Sequence, residues 1–101
     1  MGTFVKVAQA GDVAEGTGKT VDANGREIAL FKVGGKFHAI DNVCKHRGGP
    51  LGEGELDGTV VTCPLHAWTY DVTTGECFDD PSCPVETFAV KVEGDDVLVE
   101  V

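Results

Sequence analysis

Two short stretches of this 101-residue chain each set a thiol beside an imidazole. Cys44-Lys45-His46 is followed, after an interval of sixteen residues, by Cys63-Pro64-Leu65-His66. Each stretch offers one thiolate and one imidazole, so a pair of loops could bring two sulfur and two nitrogen donors to one site. Those four side chains would suit a mononuclear zinc ion in tetrahedral geometry. Common zinc patterns, however, pair Cys with Cys in one knuckle and His with His on a helix. Here the two types are mixed within each stretch, and one residue separates Cys44 from His46.

The other chemistry-bearing residues make weaker constellations. Cys77 and Cys83 are separated by five residues, which permits a local disulfide, but a reducing compartment favours free, partly buried thiols. His38 falls in a predicted strand with nothing to pair with it, as an ordinary surface or satisfied histidine would. Trp68 and Tyr70 lie two apart and share one face of a strand, which points to packing. Asp79 and Asp80 read as solvated loop carboxylates. No nucleophile and base stand together in a pattern that suggests catalysis.

The elements that must position these residues are short strands. Turn signals recur at Asn24-Gly25, Gly34-Gly35, Asp57-Gly58, Thr74-Gly75 and Gly94-Asp95. Between them, residues 4–7, 28–33, 36–40, 60–63, 68–72, 88–92 and 97–101 read as strands. Several alternate apolar and polar, as in Phe88-Ala89-Val90-Lys91-Val92. The Asn-Gly and Gly-Gly pairs supply the positive φ angles of tight hairpins. Only residues 11–16 hint at helix, and they amount to a turn. The pattern is all-β, an antiparallel sandwich or small barrel. One region departs from it: residues 42–58 form a long glycine-rich stretch around Cys44 and His46, and long ordered loops are usually functional. Residues 63–67 and the twice-proline segment 78–84 form a second and a third loop.

Composition bounds the rest. The length fits one domain over residues 1–101, with a modest core that a bound metal centre would help to stabilise. A net charge of −9 excludes nucleic-acid binding of the usual kind, which needs basic surface to displace counterions. The same charge suits a partner with a basic docking face, and it also maintains solubility. No stretch has the ~18 apolar residues of a membrane helix. The N-terminus lacks the layout of a secretory signal, so the expectation is a soluble cytoplasmic protein.

Cys-x-His, a gap of this length and Cys-x-x-His resemble the signature of Rieske proteins. The resemblance runs the length of the chain, from Gly34-Gly35-Lys36-Phe37-His38-Ala39-Ile40 through Trp68-Thr69-Tyr70-Asp71 and Thr74-Gly75 to the last hairpin. It implies a Rieske-type sandwich or barrel with a small cluster-binding subdomain of loops at about residues 42–84. It implies one [2Fe–2S] cluster, with Cys44 and Cys63 on one iron and His46 and His66 on the other. Two ferric ions, two sulfides and two thiolates are formally neutral, whereas four thiolates leave the centre dianionic; the neutral centre accepts an electron more readily. High-potential members of the family carry a further cysteine in each ligand loop and a serine hydroxyl on a bridging sulfide. At the matching positions here stand Gly49, Leu65 and Trp68. Tyr70 matches a tyrosine whose hydroxyl reaches a ligand sulfur, and Pro81 lies in the loop that shields the cluster. The balance implies a low-potential member, toward the bottom of the roughly −150 to +300 mV Rieske range.

The length resembles that of free-standing Rieske-type ferredoxins of ring-hydroxylating oxygenase systems. That resemblance implies a monomeric electron carrier between a flavin-dependent ferredoxin reductase and a terminal oxygenase, and no catalysis of its own. Lys45 and Arg47 flank His46 and either solvate the loop or meet an acidic patch on the acceptor. Two alternatives belong to other classes. One is the small subunit of an assimilatory nitrite reductase, against which the presence of all four ligands weighs. The other is a zinc-stabilised interaction module. A Rieske fragment of an oxygenase large subunit is disfavoured by the closing hairpin.

Overall fold

A computed structural model describes residues 2–44, 49–65 and 67–101. These residues form ten strands: β1 (Phe4–Gln9), β2 (Gly18–Ala23), β3 (Arg26–Val33), β4 (Lys36–Asp41), β5 (Glu55–Asp57), β6 (Val60–Thr62), β7 (Thr69–Asp71), β8 (Thr87–Phe88), β9 (Val90–Glu93) and β10 (Asp96–Glu100). They make three antiparallel sheets, ordered β1-β10-β9, β2-β3-β4-β8 and β5-β6-β7. The all-β expectation is met. The first ligand loop runs from β4 to β5, and the second joins β6 to β7 within the β5-β6-β7 meander.

Local chemistry sets the hairpins. Asn24 (φ 55°) and Gly25 (φ 89°) turn β2 into β3. Both central residues sit at positive φ, the geometry whose twist matches the flanking strands. Gly34 (φ 59°) and Gly35 (φ 78°) do the same between β3 and β4. Glu15 then clasps that second turn from across the fold: its carboxylate accepts the Gly34 N–H at 2.6 Å and the Gly35 N–H at 2.8 Å.

Strand β3 explains the layering. Ile28, Ala29, Leu30 and Phe31 are all fully buried, so both faces of the strand are covered. A continuous apolar run is what a strand buried on both sides requires. Ile28 and Leu30 join Ala8, Val21, Val97 and Val99 in one core. Ala29 and Phe31 join Ile40, Leu51, Val61, Tyr70, Cys44 and Cys63 in the other. Each large side chain so buried contributes about 1.5–3 kcal/mol. Two of the metal-binding candidates, Cys44 and Cys63, therefore sit inside a core and not on a surface flap.

Three elements differ from the sequence expectation. Strand β2 exposes Lys19 and Asp22 and buries only Val21 and Ala23, so its apolar signal is short. Strand β5 offers one apolar residue, Leu56. The run expected over residues 88–92 divides at Ala89: Phe88 pairs with Ala39 of β4, whereas Val90 pairs with Val99 of β10. One continuous alternating segment thus serves two sheets. Residues 11–16 open with a 3-10 turn at Ala10–Asp12, in keeping with their reading as a turn.

Candidate metal centre

The first loop leaves β4 at Asp41 and is anchored at once by Asn42, a buried polar residue 2% exposed. The Asn42 Oδ1 accepts the Gly52 N–H at 2.8 Å and the Thr20 hydroxyl at 3.1 Å. The Asn42 carbonyl accepts the Leu51 N–H at 2.8 Å. One side chain and its own backbone therefore close the loop at its base and tie it to β2. Sequence reasoning passed over Asn42; its only signal is a polar residue directly after an apolar strand.

Cys44 follows, 1% exposed, and its N–H donates to the Gly49 carbonyl at 3.0 Å across the loop. The Cys44 Sγ lies 3.3 Å from the Tyr70 Oη. Tyr70 is fully buried in β7, where it pairs with Val61 of β6. The strand alternation that puts Tyr70 in the core thus also aims its hydroxyl at the sulfur.

The second loop joins β6 to β7 and holds Cys63, also 1% exposed. The Cys63 N–H donates to the Trp68 carbonyl at 2.7 Å, and its carbonyl accepts the Ala67 N–H at 3.0 Å. These bonds make a tight turn, in which Ala67 adopts φ 61°, an uncommon conformation for a residue with a Cβ.

Gly49 brings the two loops together. A Cβ placed there would lie 2.8 Å from the Cys63 Sγ and 3.0 Å from the Leu65 Cγ. The backbone of the first loop therefore passes directly over the sulfur of the second, and Gly49 and Leu65 face each other. Cys44 bonds to the Gly49 carbonyl on one side while Cys63 lies against its Cα on the other. His46 and His66 lie outside the described residues, as do Lys45 and Arg47.

The third loop is tied to the start of β7. Its Phe78 N–H donates to the Thr69 carbonyl at 3.0 Å. Asp79 is exposed yet not merely solvated: its Oδ2 accepts the Thr69 N–H at 2.7 Å and the Thr69 hydroxyl at 3.1 Å. Asp80 braces the loop internally, accepting the Ser82 hydroxyl at 2.6 Å and the Ser82 N–H at 3.1 Å. The Ser82 hydroxyl, and then its N–H, hold the Asp80 carboxyl below the usual carboxylate range.

The remaining candidates divide cleanly. Trp68 packs, half-buried, against the core that contains both cysteines, and Cys77 is fully buried in that same core. Neither Cys77 nor Cys83 is in a disulfide. His38 pairs with Phe31 on β3 and lines a groove with Phe37 and Phe88 that neither Cys44 nor Cys63 reaches. Around the loops three large apolar side chains stand in solvent, Val43, Leu65 and Phe78. An open cleft of about 540 Å³, lined by Glu53, Glu55, Cys63 and Leu65 among others, leads from the second cysteine to the surface. No helix among the described residues is long and apolar enough to cross a membrane.

Comparison with known proteins adds a second line of observation. A family model described as the Rieske [2Fe–2S] domain matches residues 3–94. The chain is 40% identical over 98 residues to the ferredoxin component of biphenyl 2,3-dioxygenase from Rhodococcus jostii strain RHA1, covering 96% of this chain and 92% of the relative. It superposes on the ferredoxin of carbazole 1,9a-dioxygenase from Nocardioides aromaticivorans IC177 with a TM-score of 0.89 and 31% identity, over 96% of each chain. A second likeness is to a chain in a complex of reduced oxygenase and oxidized ferredoxin of carbazole 1,9a-dioxygenase. Its TM-score is 0.87 at 35% identity, covering 96% of this chain and 92% of the other.

Proposed function

The chain belongs to the Rieske [2Fe–2S] domain family, and from that premise we propose that Cys44 and Cys63 hold one iron of its cluster and His46 and His66 the other. The protein is an electron-transfer component and not itself an enzyme. The observation that carries the ligand assignment is the pair of buried thiols on loops that meet at Gly49, whose carbonyl bonds the Cys44 N–H and whose Cα lies against the Cys63 sulfur. Soft sulfur donors, a hydroxyl aimed at one of them, and a glycine where no side chain fits match the thiolate half of such a donor set. When bound, the cluster supplies a one-electron couple.

The chain's own residues hold and tune that couple. With Cys44 ligating as a thiolate, the Tyr70 hydroxyl 3.3 Å away would donate to it and drain charge from it, which favours reduction. Gly49 and Leu65 join the two loops by packing, at the place where high-potential members resemble each other in having a disulfide. Trp68 offers no hydroxyl in place of the serine. We assign the protein to the low-potential class on the strength of these two replacements. The exposed Val43, Leu65 and Phe78 give a partner an apolar landing close to the metal, and the net charge of −9 supplies long-range attraction to a basic one.

The proposed partners are a flavin-dependent ferredoxin reductase as donor and a terminal oxygenase as acceptor, supported by the ferredoxin and oxygenase complex among the structural likenesses. The proposed state is a cytoplasmic monomer, one Rieske domain over residues 1–101 with its cluster-binding loops at about residues 42–84.

Absorption and reduced-state electron paramagnetic resonance spectra of freshly purified protein test the assignment. A rhombic reduced signal, with an average g below that of all-cysteine clusters, is expected. A colourless, zinc-containing protein that stays silent after iron and sulfide reconstitution would overturn it.

A further inference from the structure

The third loop touches the site through one exposed carboxylate. Asp79 accepts both donors of Thr69, at 2.7 Å from the backbone N–H and 3.1 Å from the hydroxyl. Phe78 adds a backbone bond to the Thr69 carbonyl, and Cys77 forms a bridge with Tyr70. Thr69 is thereby gripped on its N–H, its carbonyl and its side chain by two consecutive residues of another loop.

Its position in the chain gives the grip its meaning. Thr69 lies between two residues that each meet a cysteine. The Trp68 carbonyl accepts the Cys63 N–H at 2.7 Å, and the Tyr70 Oη lies 3.3 Å from the Cys44 Sγ. Strand β7 is only three residues long, Thr69–Asp71, so its first residue has little secondary structure to hold it. A displacement of Thr69 would pass directly into both cysteine contacts. A carboxylate accepting charge-assisted bonds from two donors is a stronger tether than the neutral backbone bonds beside it.

We infer that Asp79 is a positioning residue for the metal centre: by clamping Thr69 it seats the Tyr70 hydroxyl on Cys44. The inference rests on the ligand set proposed above. It predicts an effect on the potential that passes through Tyr70, which plain loop stability would not produce.

The test compares Asp79→Asn with Asp79→Ala in the holoprotein. Both remove the negative charge, but the asparagine amide oxygen can still accept from both Thr69 donors. D79A is expected at a lower reduction potential than D79N, with an altered reduced-state g tensor. Its cluster is expected to be lost to an iron chelator on the order of tenfold faster, as for other supports of metal ligands. In a Tyr70→Phe background the difference in potential between D79A and D79N should collapse, because the contact through which it acts is gone. Should D79A fail to accumulate as holoprotein, Thr69→Val, which keeps the carboxylate and deletes one donor, is expected to bleach faster than the parent protein. Equal potentials for D79A and D79N, or a difference that survives Y70F intact, would overturn the inference. A parent protein without the Rieske signal would overturn the ligand set itself, and is distinguished by being visible before any variant is made.

Discussion

The Tyr70 hydroxyl stands 3.3 Å from the Cys44 sulfur, inside a core where both residues are 1% exposed or less. With Cys44 as a thiolate the hydroxyl is the donor, and the bond strengthens as the centre gains an electron. Tyr70→Phe is therefore expected to lower the reduction potential while leaving the fold intact. A differential of about 1 kcal/mol corresponds to roughly 40 mV for one electron. Redox titration followed by visible absorption reads the shift; an unchanged potential would show that the hydroxyl does not tune the centre.

Gly49 offers a steric test. Its Cα approaches so close to the second loop that a methyl group would sit 2.8 Å from the Cys63 sulfur. Gly49→Ala must push the loops apart, at the ~1–3 kcal/mol typical of overpacking. Iron and sulfide content per chain should fall, and the remaining cluster should bleach faster. Full occupancy with parental stability would mean that the loops yield freely at this point.

Asn42 tests the anchorage of the first loop without touching a metal ligand. Asn42→Ala strands the Gly52 N–H and the Thr20 hydroxyl, for which Oδ1 is the acceptor. An unsatisfied buried donor costs about 1–3 kcal/mol. For a chain of this size the melting temperature falls by roughly 4–8 °C per kcal/mol. Calorimetry of the holoprotein is the measurement, and a shift of under a degree would argue that water replaces the side chain.

Glu15 gives a pH dependence with a defined sign. Its carboxyl is held below the ordinary value of 4.5, chiefly by the Gly35 N–H and then by the Gly34 N–H. A depressed folded-state pKa contributes stability above the unfolded value, and that stability is lost as pH falls through the folded one. Glu15→Gln should therefore melt lower than the parent near neutral pH, and the gap should close below pH 4.5. The effect is small because the carboxylate is exposed. A gap that widens on acidification would contradict the clasp.

The cysteine pair and the hairpins are legible from residue types alone. The structure brings Cys44 and Cys63 to facing loops, the two histidines paired with them in the sequence lie outside the described residues, and turn pairs such as Asn24-Gly25 locate hairpins that the structure contains. The site's supports were not legible, and the reason is range. Asn42 is tied to Thr20 across 22 positions, and a hydrogen bond of that span leaves no periodic trace. Asp79 is exposed and yet bonded to Thr69, because exposure and bonding are independent for a carboxylate at a loop surface. Strands β2 and β5 were missed because alternation needs several apolar residues to declare itself, and these lie at sheet edges with one or two. The division at Ala89 hides in an unbroken alternating pattern, since only the partners of Phe88 and Val90 reveal the change of sheet.

Strand β3, covered on both faces, acts as a shared wall between two compartments, only one of which contains the cysteines. The compartment that β1, β9 and β10 close with Val21, Ala23 and Ala39 contains neither Cys44 nor Cys63. Loss of the cluster is then expected to loosen one compartment and spare the other. Hydrogen exchange of the iron-free chain should show slow amides in β10 beside fast ones in β6 and β7. Sensitivity to iron would follow from which side of one strand each residue faces.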